Sequence, residues 1–307
     1  MTAGKWEMAM PVRDPDVVVG VDGSACGEAA LRWAATEAGR RAVPLRVLMA
    51  YQPGWPGLRF AVGAGQEEAA RTIAEAVVGA AVDDARSLAP GLAVRGDAVA
   101  GHPAELLVAA SRDAALVVVG SRGRGGFASL LLGSVGGQVA GHAYAPVVVV
   151  RGREDTTDGP VVVGVDGSPA ADEALGQAYA HASRRGCPLV ARTAYCLPLP
   201  SRWTDAATLT SERDKVEAGL RDELARAVAG WHTRFPTVVV DYAITLGGAA
   251  DVLTALSNTA QLVVVGARGH EGFPGLALGS VGDQLIHHAG CPVLIARVPA
   301  GSKEGPR

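Results

Sequence analysis

The chain has 307 residues, enough for about two domains that each bury a core of their own. Its formal net charge is −3, with 28 Lys+Arg against 31 Asp+Glu and no basic patch, which argues against nucleic acid as a partner. No run approaches the ~18 apolar residues of a membrane helix, and Met1 to Pro15 hold no signal-like apolar stretch. With four cysteines and no Cys-x-x-Cys pair, a reduced, cytoplasmic protein without membrane contact is expected.

In chain order, short Val-rich runs alternate with longer Ala-rich stretches. A first strand near 16–22 ends in Val21-Asp22-Gly23-Ser24, and a helix near 25–42 follows. Next come a strand near 45–51 closing on Ala50-Tyr51, a helix near 66–89, a strand near 92–99 and a helix near 102–113. A strand near 115–120 leads into Gly120-Ser121-Arg122-Gly123; nine residues later Gly133-Ser134-Val135 opens a helix near 134–143, before a last strand near 146–150. The second half repeats the order, with strands near 161–166, 189–195, 237–244, 261–266 and 292–296. These strands are continuous apolar runs rather than alternating ones, the pattern of a parallel sheet covered on both faces. The strand–helix alternation predicts a doubly wound α/β fold with right-handed crossovers. Ligands of such sheets bind beyond the carboxyl ends of the strands, where Asp22 stands with Gly120 and Asp166 with Gly266.

The repetition is close in detail. Val17 to Ser24 is echoed by Val161 to Ser168, and Ala50-Tyr51 by Ala194-Tyr195, both 144 residues on. The glycine loop recurs 146 residues on as Gly266-Ala267-Arg268-Gly269, nine residues, then Gly279-Ser280-Val281. A period this long means duplicated domains rather than a solenoid, whose units run about 20–50 residues. The division is expected at 1–152 and 153–307, through a polar linker at about 151–160. A loop of this kind bares backbone N–H groups and opens a helix whose N-terminus favours an anion, so it reads as a phosphate cradle, built twice.

Rival nucleotide motifs fit less well. Neither loop holds the lysine of a P-loop. Gly123-Arg124-Gly125-Gly126-Phe127-Ala128 matches the dinucleotide fingerprint, but it follows a late strand and its repeat, Gly269-His270-Glu271-Gly272, breaks it. A serine-nucleophile elbow is nearly offered by Val119-Gly120-Ser121-Arg122-Gly123, yet Val119 takes the first glycine position and Ala267 replaces Ser121 in the repeat.

Together, Val-Gly-Val-Asp-Gly-Ser opening each half, the glycine loop and the closing Ala-Pro-Val or Cys-Pro-Val strand resemble the universal stress protein family, in its ATP-binding branch, from Val17 to Val150 and again from Val161 to Ala296. The resemblance implies two tandem α/β domains of the adenine nucleotide alpha hydrolase-like type, five-stranded parallel sheets ordered 3-2-1-4-5, and domain pairing through the last strand. It implies ATP as ligand; from the duplicated aspartate and loop, one ATP per half is expected, with Mg²⁺ bridging the phosphates. Asp22 and Asp166 match the acidic residue near the ribose, and Ala50 and Ala194 the position whose backbone meets adenine. Gly120, Gly123, Gly133 and Ser134 match the phosphate loop, as do Gly266, Gly269, Gly279 and Ser280; Arg122 with Val135 and Arg268 with Val281 keep their places in both repeats and are expected at the same nucleotide sites.

Physical alternatives stand beside these roles. Asp22 and Asp166 serve either the ribose or the N-cap of the next helix, a task for which Ser24 and Ser168 compete. Ser134 and Ser280 are expected to cap their helices or donate to phosphate. Arg122 and Arg268 reach either phosphate or solvent. His102, His181 and His232 recur at no equivalent position and, with His142, are given no role. No Glu, Gln or His recurs within both loops, so nucleotide-dependent regulation or stress response is favoured over fast catalysis; a slow ATPase and a nucleotide-independent scaffold are the alternatives. A homodimer is expected, with the protein partner unidentified. The second site is expected to bind ATP about fivefold more weakly, because His270-Glu271 replace Arg124-Gly125.

Overall fold

The computed structural model describes residues 15–52, 65–123, 131–154, 156–196, 206–269 and 277–298. In the first half these form β1 (Val17–Gly20), α1 (Ala25–Arg41), β2 (Leu45–Tyr51), α2 (Gly65–Leu88), β3 (Val94–Ala100), α3 (Pro103–Ala110), β4 (Leu116–Gly120), α4 (Ser134–His142) and β5 (Val147–Val150). The second half repeats the order: β6 (Val161–Gly164), α5 (Pro169–Arg185), β7 (Leu189–Tyr195), α6 (Ala206–His232), β8 (Val240–Leu246), α7 (Ala249–Ser257), β9 (Leu262–Gly266), α8 (Ser280–His288) and β10 (Val293–Ala296). Two strands start later than their apolar runs suggest. Turns consume the missing residues: Leu92 N–H bonds Ala89 O before β3, and Val238 N–H bonds Phe235 O before β8.

All ten strands join one sheet, in the order β3-β2-β1-β4-β5-β10-β9-β6-β7-β8. Each half therefore has the expected 3-2-1-4-5 order of parallel strands. The halves meet through β5 and β10, which run antiparallel with Val293 opposite Val149 and Ile295 opposite Val147. An apolar edge left open invites aggregation. Here each edge covers the other, and Val147 to Val150 are at most 1% exposed.

Helices cover both faces across the whole sheet. Val17 and Val19 point into one core with α1, α2, α5 and α6, while Val18 points into the other with residues of α3, α4, α7 and α8. The Ala-rich faces of α1 and α5 allow close packing on the strands, with Ala30, Ala34, Ala174 and Ala178 fully buried. Ser24 and Ser168 cap these helices, accepting from Gly27 N–H and Ala171 N–H. At their far ends the halves differ. Gly186 takes the left-handed conformation at φ 63, and Ala42 takes it at φ 54.

Across the seam, α1 and α5 bring together a buried polar cluster. Glu37 Oε1 accepts from Arg41 Nε at 2.8 Å and Oε2 from Arg185 Nη2 at 3.0 Å. His181, 0% exposed, lies with Nε2 3.0 Å from Arg41 Nη2 and Nδ1 3.3 Å from Glu37 Oε1. A guanidinium only donates, so Nε2 accepts and the proton of a neutral ring sits on Nδ1. Burial drives the imidazole down to about 3, against the pull of Glu37. Burial alone would raise the Glu37 carboxyl, but His181 when charged, Arg185 and Arg41 outweigh it and hold it down to about 2. Arg185 also donates to Gln261 Oε1 and lies over the Trp33 ring. His181, which has no role in the repeat pattern, is thus a component of the seam.

The polar segment after β5 is held against both halves. Arg153 donates from its backbone to Gly290 O and from Nη2 to Ala260 O, and Glu154 pairs with Arg32 of α1.

Candidate functional site

Each half places an aspartate and a glycine loop at the carboxyl ends of adjacent strands, because β1 pairs with β4 and β6 with β9. Asp22 follows β1. Its Oδ1 accepts from Ser24 N–H at 3.0 Å and Ser24 Oγ at 2.5 Å, which fixes the carboxylate. The other oxygen, Oδ2, faces the loop after β4: a Cβ on Gly123 would lie 2.6 Å from it. Asp166 repeats this, accepting from Ser168 N–H at 3.0 Å and turning Oδ2 onto Gly269. The caps belong to Ser24 and Ser168, so neither aspartate is spent as the N-cap of its helix.

The loop glycines have different physical reasons. A Cβ on Gly120 would meet Cys26 O at 2.5 Å, and one on Gly266 would meet Ala170 O at 2.8 Å. These two let β4 and β9 pass under the first turns of α1 and α5. Gly133 and Gly279 face no such constraint. They sit at φ −79 and −74, conformations open to any residue, and an added Cβ would come no closer than 3.5 Å to its neighbours among the described residues. Their N–H groups close the loop onto Ser121 O (2.7 Å) and Ala267 O (2.8 Å).

Gly133 and Gly279 are themselves the N-caps of α4 and α8, without a side-chain cap. The expected capping by Ser134 and Ser280 is therefore corrected: both are the first helical residue, one position too late to cap. Both are exposed at the helix mouth, followed by Val135 and Val281. The first N–H groups of each helix have no acceptor within it and point outward. Arg122 and Arg268 are exposed in the same loops. Arg124, Gly125, His270 and Glu271, which carry the expected inequality of the sites, lie outside the described residues.

In the second half, Asp166, Ala194, Gly266, Arg268, Gly269, Gly279, Ser280 and Val281 all line one cavity of about 790 Å³. Its apolar wall comes from Val165, Val252, Leu253 and Val265, which the repeat does not single out. Gly247 lines it too, at φ 142, matching Gly101 at φ 145 in the first half. The recurrence of glycine at 101 and 247 was the available sequence clue to this edge of the cavity, since backbone geometry there favours glycine. In the first half, Asp22, Gly123, Gly133 and Arg122 converge by the same contacts. Ala50 and Ala194 are the penultimate residues of β2 and β7, which each run on to a tyrosine. No helix among the described residues is long and apolar enough to cross a membrane.

The Universal stress protein family matches residues 15–151 and again 159–297. A universal stress protein of Mycobacterium tuberculosis is 38% identical over 92% of this chain and 95% of its own length. A solved universal stress protein from Archaeoglobus fulgidus shares the fold at TM-score 0.66 and 20% identity, covering 94% of this chain and 98% of that one. A second from that organism, solved in complex with dAMP, is 28% identical, covers 46% of this chain and 99% of that one, and has a TM-score of 0.34.

Proposed function

The chain belongs to the universal stress protein family across both of its halves, and from that premise we propose that each half binds one ATP and that the nucleotide sets the protein's conformation or choice of partner in a regulatory or stress-response role. The observation that carries this reading is the spare room at Gly133 and Gly279. Nothing among the described residues requires glycine at either N-cap, which supports a reason in what approaches there. A phosphate chain needs bare backbone at a helix N-terminus and tolerates no side chain between. The cavity around Gly279 suits the rest of the ligand: about 790 Å³ lies within the usual range of small-molecule sites, and its apolar wall fits a base. Asp166, whose carboxylate is held by the Ser168 turn, would accept from ribose hydroxyls.

Mg²⁺ would be held mainly by phosphate oxygens, as the described residues contain no group of three metal-binding side chains. We place the division between the two binding units at residues 152 and 153. Since β5 and β10 already use their edges on each other, a homodimer has to form on another surface, and sedimentation velocity reads it directly.

Titration calorimetry with ATP should give about two sites per chain. Gly133→Glu combined with Gly279→Glu, which puts a carboxylate where each phosphate would lie, should abolish both; retained stoichiometry in that double variant overturns the assignment. Turnover should fall far below the roughly 1–10³ s⁻¹ of typical enzymes, because each loop repeats a single arginine and no base. Phosphate release above roughly 1 s⁻¹ in a contaminant-free preparation would make the protein an ATPase instead.

A further inference from the structure

Arg151 follows β5 and Arg297 follows β10, at equivalent places in the repeat. Each side chain crosses into the opposite half. Arg151 donates from Nη1 to Leu285 O of α8 at 3.2 Å, and Arg297 donates from Nη2 to Ala140 O of α4. Both targets are carbonyls in the last turns of the two helices whose first turns face the proposed phosphates. In both arginines Nε is buried with no hydrogen-bond partner among the described residues. Burial lowers the affinity of each guanidinium for its proton. The charge of the loop arginine of its own half adds to this, Arg122 for Arg151 and Arg268 for Arg297, while Cys291 acts against it on Arg151. Each cation therefore stands between its own half's loop and the other half's helix.

We propose that Arg151 and Arg297 are crossed positioning residues, each anchoring the phosphate-facing helix of the opposite half, so that each nucleotide site depends on a side chain rooted in the other unit. This rests on the nucleotide reading above. Helices of nine residues, as α4 and α8 are, have little stability of their own and depend on tertiary anchors. A cation on the last carbonyls complements the negative helix end; Leu285 O, which accepts from Ala289 N–H, gains a second donor, and Ala140 O takes a donor from outside its helix. In α4 this is direct: the N–H that would normally bond Ala140 O belongs to Tyr144, and it bonds Ser111 Oγ instead. Holding the C-terminal end fixes the direction in which the N-terminal amides point. The antiparallel β5–β10 junction makes the exchange possible, since it brings the end of each half's last strand beside the other half's last helix.

The crossing gives the test. With site 1 silenced by Gly133→Glu, Arg151→Met should weaken ATP binding at site 2 by about two- to fivefold. With site 2 silenced by Gly279→Glu, the same change should leave site 1 nearly unaltered. Arg297→Met should give the mirror image, and Arg151→Lys, which keeps the charge and a donor, should recover most of the lost affinity. A loss confined to the arginine's own half would mean that it binds phosphate directly, and no loss in either half would mean that it positions nothing; both overturn the inference. Hydrogen exchange without nucleotide provides an independent arm. Arg151→Met should speed exchange in α8 and spare α4, and unchanged exchange in α8 would refute the anchoring. If the parent chain binds no ATP, the functional reading fails, and the exchange arm still decides the anchoring.

Discussion

The two halves share strand order, caps and the contacts at the described ends of their glycine loops, yet where α1 and α5 meet at the seam they are chemically unlike. Glu37 of the first half and His181 of the second are equivalent positions, 144 residues apart, and so are Arg41 and Arg185. In a dimer of identical subunits the pseudo-twofold relation would set glutamate beside glutamate. Two carboxylates buried together cannot both ionise without a large cost. A duplicated chain is free to change one copy alone, and here one carboxylate faces a neutral imidazole and two guanidiniums. The lesson is that fusion of the halves permits an asymmetric, buried polar contact that a symmetric dimer could not build from the same residue.

The sharpest way to break this comparison is to remove its one anion. Glu37→Ala leaves Arg185 buried without its carboxylate, and losing one partner of a buried pair costs about 3–5 kcal/mol. Urea unfolding should show a loss of that order; a loss below about 1 kcal/mol would mean that the seam contributes little.

The imidazole is tested by pH. Inside the fold it stays neutral down to about 3, whereas in the unfolded chain it takes a proton near the ordinary value of about 6.5. Between those values the unfolded state binds more protons. The contribution is thus fully present above about 6.5 and is lost as pH falls, at up to about 1.4 kcal/mol per pH unit. Glu37 acts in the same direction at lower pH, from about 4.5 towards 2. His181→Gln should therefore flatten the stability profile between about 4.5 and 6.5, and an unchanged slope there would place the acid sensitivity elsewhere.

The smallest expected effect lies at the helix ends. Ala42 sits in the left-handed region that Gly186 occupies in the other half. Ala42→Gly should stabilise the protein by about 1 kcal/mol and Gly186→Ala should destabilise it by a similar amount. If both changes prove neutral in thermal unfolding, the strain inferred at Ala42 is absent.

Much of the molecule could be read along the chain. Val17–Val19 and Leu116–Val119 declare buried parallel strands because they carry no polar alternation, and the spacing from Gly120 to Ser134 places a loop and a helix start after one of them. The 144-residue echo of Asp22 in Asp166 marks the site in both halves. Its apolar wall was hidden, since Val252 and Leu253 look like any core residues of a helix and only the path of α7 over β6 and β7 brings them to the cavity.

By itself the sequence determined what depends on neighbours along the chain: strand and helix type, Ser24 and Ser168 as caps open to competition from aspartate, and the duplicated loops. Tertiary structure alone decided that the serines win the caps, that Ser134 and Ser280 miss theirs by one residue, and that the loop glycines differ in purpose. Gly120 is required because another backbone passes within contact distance, and Gly133 is not. Nor could the string of residues show that Arg151 reaches α8 or that Glu37 meets His181. Those contacts join positions more than 130 residues apart, and they exist only because β5 and β10 pair antiparallel and fold the two copies about a common axis.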